Sequence, residues 1–277
     1  MDRKRIGLNR VTAPTLGLAD FYALAASLGL GKVEIRNDLG KKDPIDGLAP
    51  SEASRLAADH GIQVLTINAV QKFNLAAARA EAAAELERLL GLAHAIACKA
   101  IVLCPNNDAE DARPADRRLA ETVEALAAFG PMFQAAGVLG YLEPLGFSIS
   151  SLSSLLVAAE AIARSGFSCY RLVYDTFHHH IGPDEADVVG TKYDIALTGL
   201  VHVSGVEAPI PTDAYRDEHR ILPGAGDSMS SKAQIARLER LGYRGDFSYE
   251  VFSPEIQRLD RAELAAALRA SLDYLLA

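Results

Sequence analysis

The run GVLGYLEP, residues 137–144, decides the fold. Its glycine stops whatever helix comes before it, since glycine takes the left-handed backbone of a helix end without steric cost. A short, almost wholly apolar stretch follows, the pattern of a strand buried on both faces. The run closes on a carboxylate, Glu143, and a proline. The same grammar recurs along the chain in RIGLNRV (5–11), KVEIRN (32–37), QVLTINAV (63–70) and AIVLCP (100–105). It returns in YRLVYDT (170–176), LVHVS (200–204) and DFSYEVF (246–252). Helical spacing fills the intervals. Residues 81–92 and their flank put Leu86, Leu89, Leu90 and Ala93 on one face, and residues 76–84 are rich in alanine. Gly29, Gly61, Gly166 and Gly242 each come shortly before the next strand, as Gly137 does. Strands alternating with helices from end to end predict a (β/α)8 TIM barrel, a single domain over residues 1–277. An open doubly wound sheet is the competing architecture. It lacks support, because no GxGxxG or GxxxxGKS loop follows the first strand.

The bulk composition limits the function. Of the 277 residues 49% are hydrophobic, enough for a large core, and the net charge is −8. An acidic surface repels phosphate backbones, so nucleic acid is not an expected partner. The three cysteines, Cys98, Cys104 and Cys169, form no CxxC pair and suggest neither a disulfide framework nor a zinc knuckle. The opening MDRKRIGLNR is charged and precedes no apolar run, and no uncharged stretch is long enough to span a bilayer. A cytoplasmic protein with no membrane contact is expected.

In a TIM barrel, reactive groups sit where strands end. Strand five ends in Glu143, strand six in Asp175, strand seven carries His202 and strand eight Glu250. The four are spaced by about one strand–helix unit or a little more, so they converge on one side of the mouth. Three carboxylates left unpaired there would cost several kcal/mol in desolvation and mutual repulsion. A divalent cation removes that cost. Oxygen-rich ligation with one nitrogen suits Mn²⁺, Zn²⁺, Co²⁺ or Mg²⁺ and does not pick among them; Mn²⁺ is the ion expected first.

The stretches YLEP, YDTFHHHIG, HVSG, RILPGAGD and YEVFSPE, in this order, resemble the xylose isomerase-like TIM barrels, a superfamily of sugar isomerases and epimerases that includes endonuclease IV. VEIR on strand two, INAV followed by FN, and EHRILPGAGD resemble in particular its branch that isomerises 2-keto-myo-inositol. The resemblance runs over nearly the whole chain and is most specific from Glu143 to Glu255. It implies that Glu143, Asp175, His202 and Glu250 bind the metal, and that Glu143 and Glu250 also move protons. It implies substrate contacts for His178 and Arg220. From the residues alone, His178 also reads as a capping or packing histidine, and Arg220 as a surface-loop arginine. Arg36 and Asn68, at the ends of strands two and three, are candidate pocket residues. His179 and His180 are expected to be peripheral, since side chains on an extended segment alternate. One departure stands out. Many members carry an aspartate shortly after the strand-seven histidine, where this chain has Ser204 and Gly205. A carboxylate to hold His202 is therefore missing from that loop.

The resemblance implies an isomerase or epimerase of a non-phosphorylated cyclitol or keto-sugar, working through an enediolate, with 2-keto-myo-inositol as the leading substrate. A polyhydroxy ketone is then the partner, and a homo-oligomer is compatible with the sequence. Inosose dehydration and ketohexose 3-epimerisation are alternatives on the same scaffold. An endonuclease IV-like repair enzyme fits poorly: the chain has only seven histidines, an acidic balance and no Asp-x-His pair after His202. A barrel that binds sugar without turnover is the remaining alternative.

Overall fold

Eight parallel strands close on themselves in sequence order. They are β1 (Ile6–Asn9), β2 (Lys32–Arg36), β3 (Gln63–Val70), β4 (Ala100–Leu103), β5 (Leu139–Leu142), β6 (Tyr170–Asp175), β7 (Thr198–Val203) and β8 (Asp246–Tyr249). The computed structural model describes residues 1–40, 43–207 and 209–277. The main helices between the strands are α1 (Leu18–Ser27), α2 (Pro50–Asp59), α3 (Arg79–Ala95), α4 (Ala115–Ala136) and α5 (Leu155–Ser165). They continue with α6 (Thr176–Ile181), α7 (Ser231–Arg240), α8 (Pro254–Gln257) and α9 (Arg261–Leu276). This is the (β/α)8 barrel that the alternating pattern predicts. Among the described residues, no helix is long and apolar enough to cross a membrane.

The reading at Gly137 holds in atomic detail. Gly137 ends α4 at φ 66°. Its N–H donates to the Gln134 carbonyl and that of Val138 to the Phe133 carbonyl, both at 3.2 Å, the two bonds of a Schellman stop. Gly166 ends α5 in the same left-handed conformation, at φ 78°. On α3, Leu86, Leu89, Leu90 and Ala93 are all buried against the barrel.

Strand geometry positions the site. Side chains alternate between the helix-facing and inward faces. Inward-facing Leu65, Ala100, Val102, Tyr141, Val173 and Leu200 pack into a separate apolar plug. Two residues beyond Tyr141, Val173 and Leu200, on the same face, come Glu143, Asp175 and His202. Strand pairing aligns Asp175 with His202, Asn9 with Glu34, and Arg36 with Asn68. A polar layer thus lies directly above the plug, at the end of the barrel where the strands finish.

Two expectations need correction. β5 and β8 are shorter than their apolar runs, so Glu143 and Glu250 fall just past them. Residues 178–180 are also helical, not extended. Asp175 Oδ1 accepts from the N–H groups of Phe177 (2.7 Å) and His178 (3.2 Å) and so starts α6 at Thr176. The three histidines therefore fan around one helical turn.

Candidate metal centre

Glu143, Asp175, His202 and Glu250 each offer one ligand atom, and these four atoms lie within 4.8 Å of one another. Two metal–ligand bonds of ~2.1 Å span about 4.2 Å, so one ion reaches all four after small adjustments. His202 Nδ1 stands 2.7 Å from Glu143 Oε1, 3.2 Å from Glu250 Oε2 and 3.8 Å from Asp175 Oδ2. All four residues are buried. Because Asp175 Oδ1 is committed to capping α6, Oδ2 is left for the cluster.

Two arginines share the layer. Arg220 is 1% exposed, with its guanidinium between the rings of Phe177 (5.1 Å) and Phe252 (4.7 Å). Its Nη2 donates to Asp175 Oδ2 at 2.6 Å and Glu250 Oε2 at 2.8 Å, and its Nε to Ser204 Oγ at 3.2 Å. Arg36 Nη1 donates to Glu250 Oε1 at 2.9 Å, while its Nε and Nη2 hold Asp38. Arg220 is thus no surface-loop residue. Its fork grips two of the four candidate ligands.

The group that sequence reasoning missed is Glu34 on β2. It is fully buried and faces the far edge of the His202 ring, with Oε2 3.1 Å from Nε2. The carboxylate missing from residues 204–205 is therefore supplied from a different strand. One signal could have revealed it. Glu34 is a carboxylate in the inward register of an otherwise apolar strand, a costly placement unless partnered. Asn68, a candidate pocket residue, turns its amide toward Glu34 Oε2 (3.0 Å) and Thr66 Oγ1 (3.0 Å).

Electrostatics follow from this crowding. Burial pushes the Glu143 and Asp175 carboxyls up, opposed by His202 at Glu143 and by Arg220 at Asp175. At Glu250 burial also pushes upward, but the charges of His202 and Arg220 outweigh it and hold the carboxyl well below its usual range. His202 is driven well above its ordinary value: burial opposes its charge, yet Glu250, Glu34 and Glu143 prevail. His178 behaves oppositely. Burial, aided by Arg220, lowers it to about 3. Its neutral ring packs edge-on against Phe147 and Phe177, and its Nδ1 has no hydrogen-bond partner among the described residues.

The donor set fits a divalent cation. Four carboxylates (Glu34, Glu143, Asp175, Glu250) face two guanidiniums, and a doubly charged ion would balance the remainder. Beside the cluster a cavity of about 350 Å³ is lined by Phe147, Ile149, Ile181, Tyr215, Arg216 and Asp217. Phe147 touches the His178 ring and Asp217 pairs with Arg220 at 3.3 Å, so this cavity borders the polar layer. Its volume is within the range of small-molecule sites.

Comparison with known proteins agrees with this architecture. The structure superposes on a xylose isomerase domain-containing protein from Salmonella typhimurium LT2 with a TM-score of 0.93, at 36% identity over 100% of this chain and 99% of that one. It matches the IOLI protein with a bound zinc atom at a TM-score of 0.89, 21% identity and 98% of both chains. It also matches D-psicose 3-epimerase with D-tagatose from Clostridium cellulolyticum H10, at 0.75, 17% and 98% of both. No protein of curated description matches the sequence significantly. The family profile of the xylose isomerase-like TIM barrels covers residues 22–276. With nearly the whole chain matched and the four-donor mouth in place, this chain belongs to the xylose isomerase-like TIM barrel family.

Proposed function

We propose that this chain is a divalent-metal-dependent isomerase or epimerase of a non-phosphorylated polyhydroxy ketone, with 2-keto-myo-inositol as the leading substrate. The observation that carries the reading is the convergence of three carboxylates and one imidazole nitrogen within 4.8 Å at the mouth of the barrel. The bound zinc of the IOLI structure and the sugar ligand of the psicose epimerase structure favour the same chemistry. Mn²⁺ is the favoured ion, and Zn²⁺, Co²⁺ and Mg²⁺ suit the same donors.

When bound, a divalent ion would supply Lewis-acid stabilisation of negative charge developing on the substrate oxygens. Glu143, Asp175, His202 and Glu250 would hold it. The protein residues supply the proton chemistry. Glu143 or Glu250 takes the proton from the carbon beside the carbonyl, and the C–H electron pair moves toward the carbonyl oxygen to give an enediolate. The proton then returns, from the same carboxyl or the other. Return to the opposite face of the same carbon is epimerisation. Return to the neighbouring carbon, with a hydroxyl proton shifting to the other oxygen, is isomerisation. A positioned base of this kind contributes about 10²–10⁴-fold in rate. His178, neutral and with no hydrogen-bond partner for Nδ1 among the described residues, can hydrogen-bond a substrate hydroxyl. Arg220 and Arg36 orient Glu250 through both of its oxygens. Among the described residues, Arg216 is the one basic side chain lining the bordering cavity, which favours an uncharged substrate.

The test is NMR of metal-loaded protein in deuterated water with 2-keto-myo-inositol and, separately, D-fructose. The reading expects deuterium at the carbon beside the carbonyl, together with a rearranged ketone. Loss of water would identify a dehydratase. Tight ketone binding with no exchange at any carbon would identify a sugar-binding barrel and defeat the proposal.

A further inference from the structure

We infer that Glu34 is a positioning residue that fixes the tautomer and ring plane of His202, so that the Nδ1 lone pair is the one presented to the ion. This inference rests on the reading of the cluster as a metal site. Glu34 lies on β2, three strands around the closed barrel from the β7 that carries His202. Its neighbours Val33 and Ile35 are buried in the outer core, so it is a carboxylate set into an apolar strand and pointed inward. Such a group survives burial only when its oxygens are satisfied.

They are satisfied in a particular way. Oε2 accepts from Thr66 Oγ1 at 2.5 Å and from Asn68 Nδ2 at 3.0 Å. Oε1 accepts from Asn9 Nδ2 at 3.3 Å. These three neutral donors on β1 and β3 pin the carboxylate in place without neutralising it. The remaining contact is His202 Nε2 at 3.1 Å from Oε2. An ionised carboxylate can only accept, so Nε2 must carry the proton. In the neutral imidazole that a metal requires, Nδ1 is then the unprotonated nitrogen, and it already faces Glu143, Asp175 and Glu250. Glu34 is not a fifth ligand. It meets the opposite edge of the ring, and the four converging ligand atoms do not include it. Ser204, two residues after His202, is occupied by Arg220 Nε.

The experiment compares wild type with Glu34→Met, which keeps length but offers no acceptor, and Glu34→Gln, which keeps a neutral acceptor. Zn²⁺ affinity is measured by competition with a chromophoric chelator. The Nε2–H of His202 is observed by ¹H–¹⁵N NMR of the zinc-loaded proteins. The expected result is a loss in zinc affinity of about 10–100-fold for Glu34→Met. Glu34→Gln should lose less, and the protected Nε2–H signal of wild type should vanish in Glu34→Met. If Glu34→Met does not fold, Glu34→Gln carries the test through a weakened affinity and a shifted Nε2–H resonance. Zinc affinities within twofold of wild type, with the Nε2–H signal unchanged, would overturn the inference while leaving the metal site standing. A wild type that binds no zinc, even where His202→Asn behaves identically, would overturn the metal site and this inference together.

Discussion

Replacing Arg220 with methionine tests how the polar layer is kept from repelling itself. The substitution keeps most of the side-chain volume between Phe177 and Phe252, so a cavity contributes little. It removes the charge that binds Asp175 at 2.6 Å and Glu250 at 2.8 Å. Breaking a buried pair by deleting one partner costs about 3–5 kcal/mol. Glu250 keeps Arg36, and both carboxylates keep a protonated His202 nearby, which places the cost at the lower end, about 3 kcal/mol. At roughly 2–4 °C per kcal/mol for a chain of this size, thermal unfolding in chelator should fall by about 6–12 °C. With saturating Mn²⁺ the deficit should shrink to about half, because the ion neutralises the same two oxygens. The assay is a melt of both proteins with EDTA and with Mn²⁺. A deficit below about 2 °C in EDTA, or one equal in size with and without metal, would refute the reasoning.

Glu250→Gln should lower turnover of the metal-loaded protein by about 10²–10⁴-fold with the far-ultraviolet dichroism unchanged, since the amide keeps the side-chain volume and one oxygen that accepts from one of the two arginines, Arg36 or Arg220; turnover within threefold of wild type would remove Glu250 from the proton path. Metal binding near neutral pH should release close to one proton. His202 in the metal-free protein is held above its ordinary value by Glu250, Glu34 and Glu143 against burial, and must lose its proton to ligate. Titration calorimetry in buffers of different ionisation enthalpy reads that proton, and affinity should rise with pH until His202 is neutral. Acid stability should depend on Asp111. Arg113 and, to a lesser extent, Asn106 hold its carboxyl far below the usual range against the opposing effect of burial. A depressed carboxyl stabilises the fold above its unfolded value and loses that contribution as pH falls. The urea midpoint should therefore begin to drop near about pH 5 and keep falling below about pH 3, and Asp111→Asn should flatten that drop.

Much of the barrel could be read in the chain because the strands are short apolar runs, five of them shortly after a helix-stopping glycine, as at Gly137 and Gly166. The strand ends were less legible. Apolar character continues past the last ladder bond, so the run 246–252 overshoots β8, which ends at Tyr249. The residues 178–180 misled because β-rich residues lead straight into them, while the decisive signal, an aspartate capping the next turn, is a single side-chain contact. The four candidate donors were legible because each lies at, or within one residue of, the end of its own strand. Glu34 was not, since its partners Asn9, Thr66, Asn68 and His202 come from three other strands and no local spacing encodes them. Arg220 was placed near the site on resemblance, but its burial between two rings depends on Phe177 and Phe252, which no linear motif ties to it.

The four candidate donors come from β5 to β8, whereas Glu34 and its three neutral supports come from β1 to β3. The two halves of the barrel thus divide the labour: one grips, the other steadies the grip. A chain severed in the stretch between β4 and β5 would leave its C-terminal fragment with every donor but with an imidazole free to swivel. Ion capture by such a fragment would be weak until the N-terminal piece docked, which makes metal uptake a sensitive reporter of the halves reuniting.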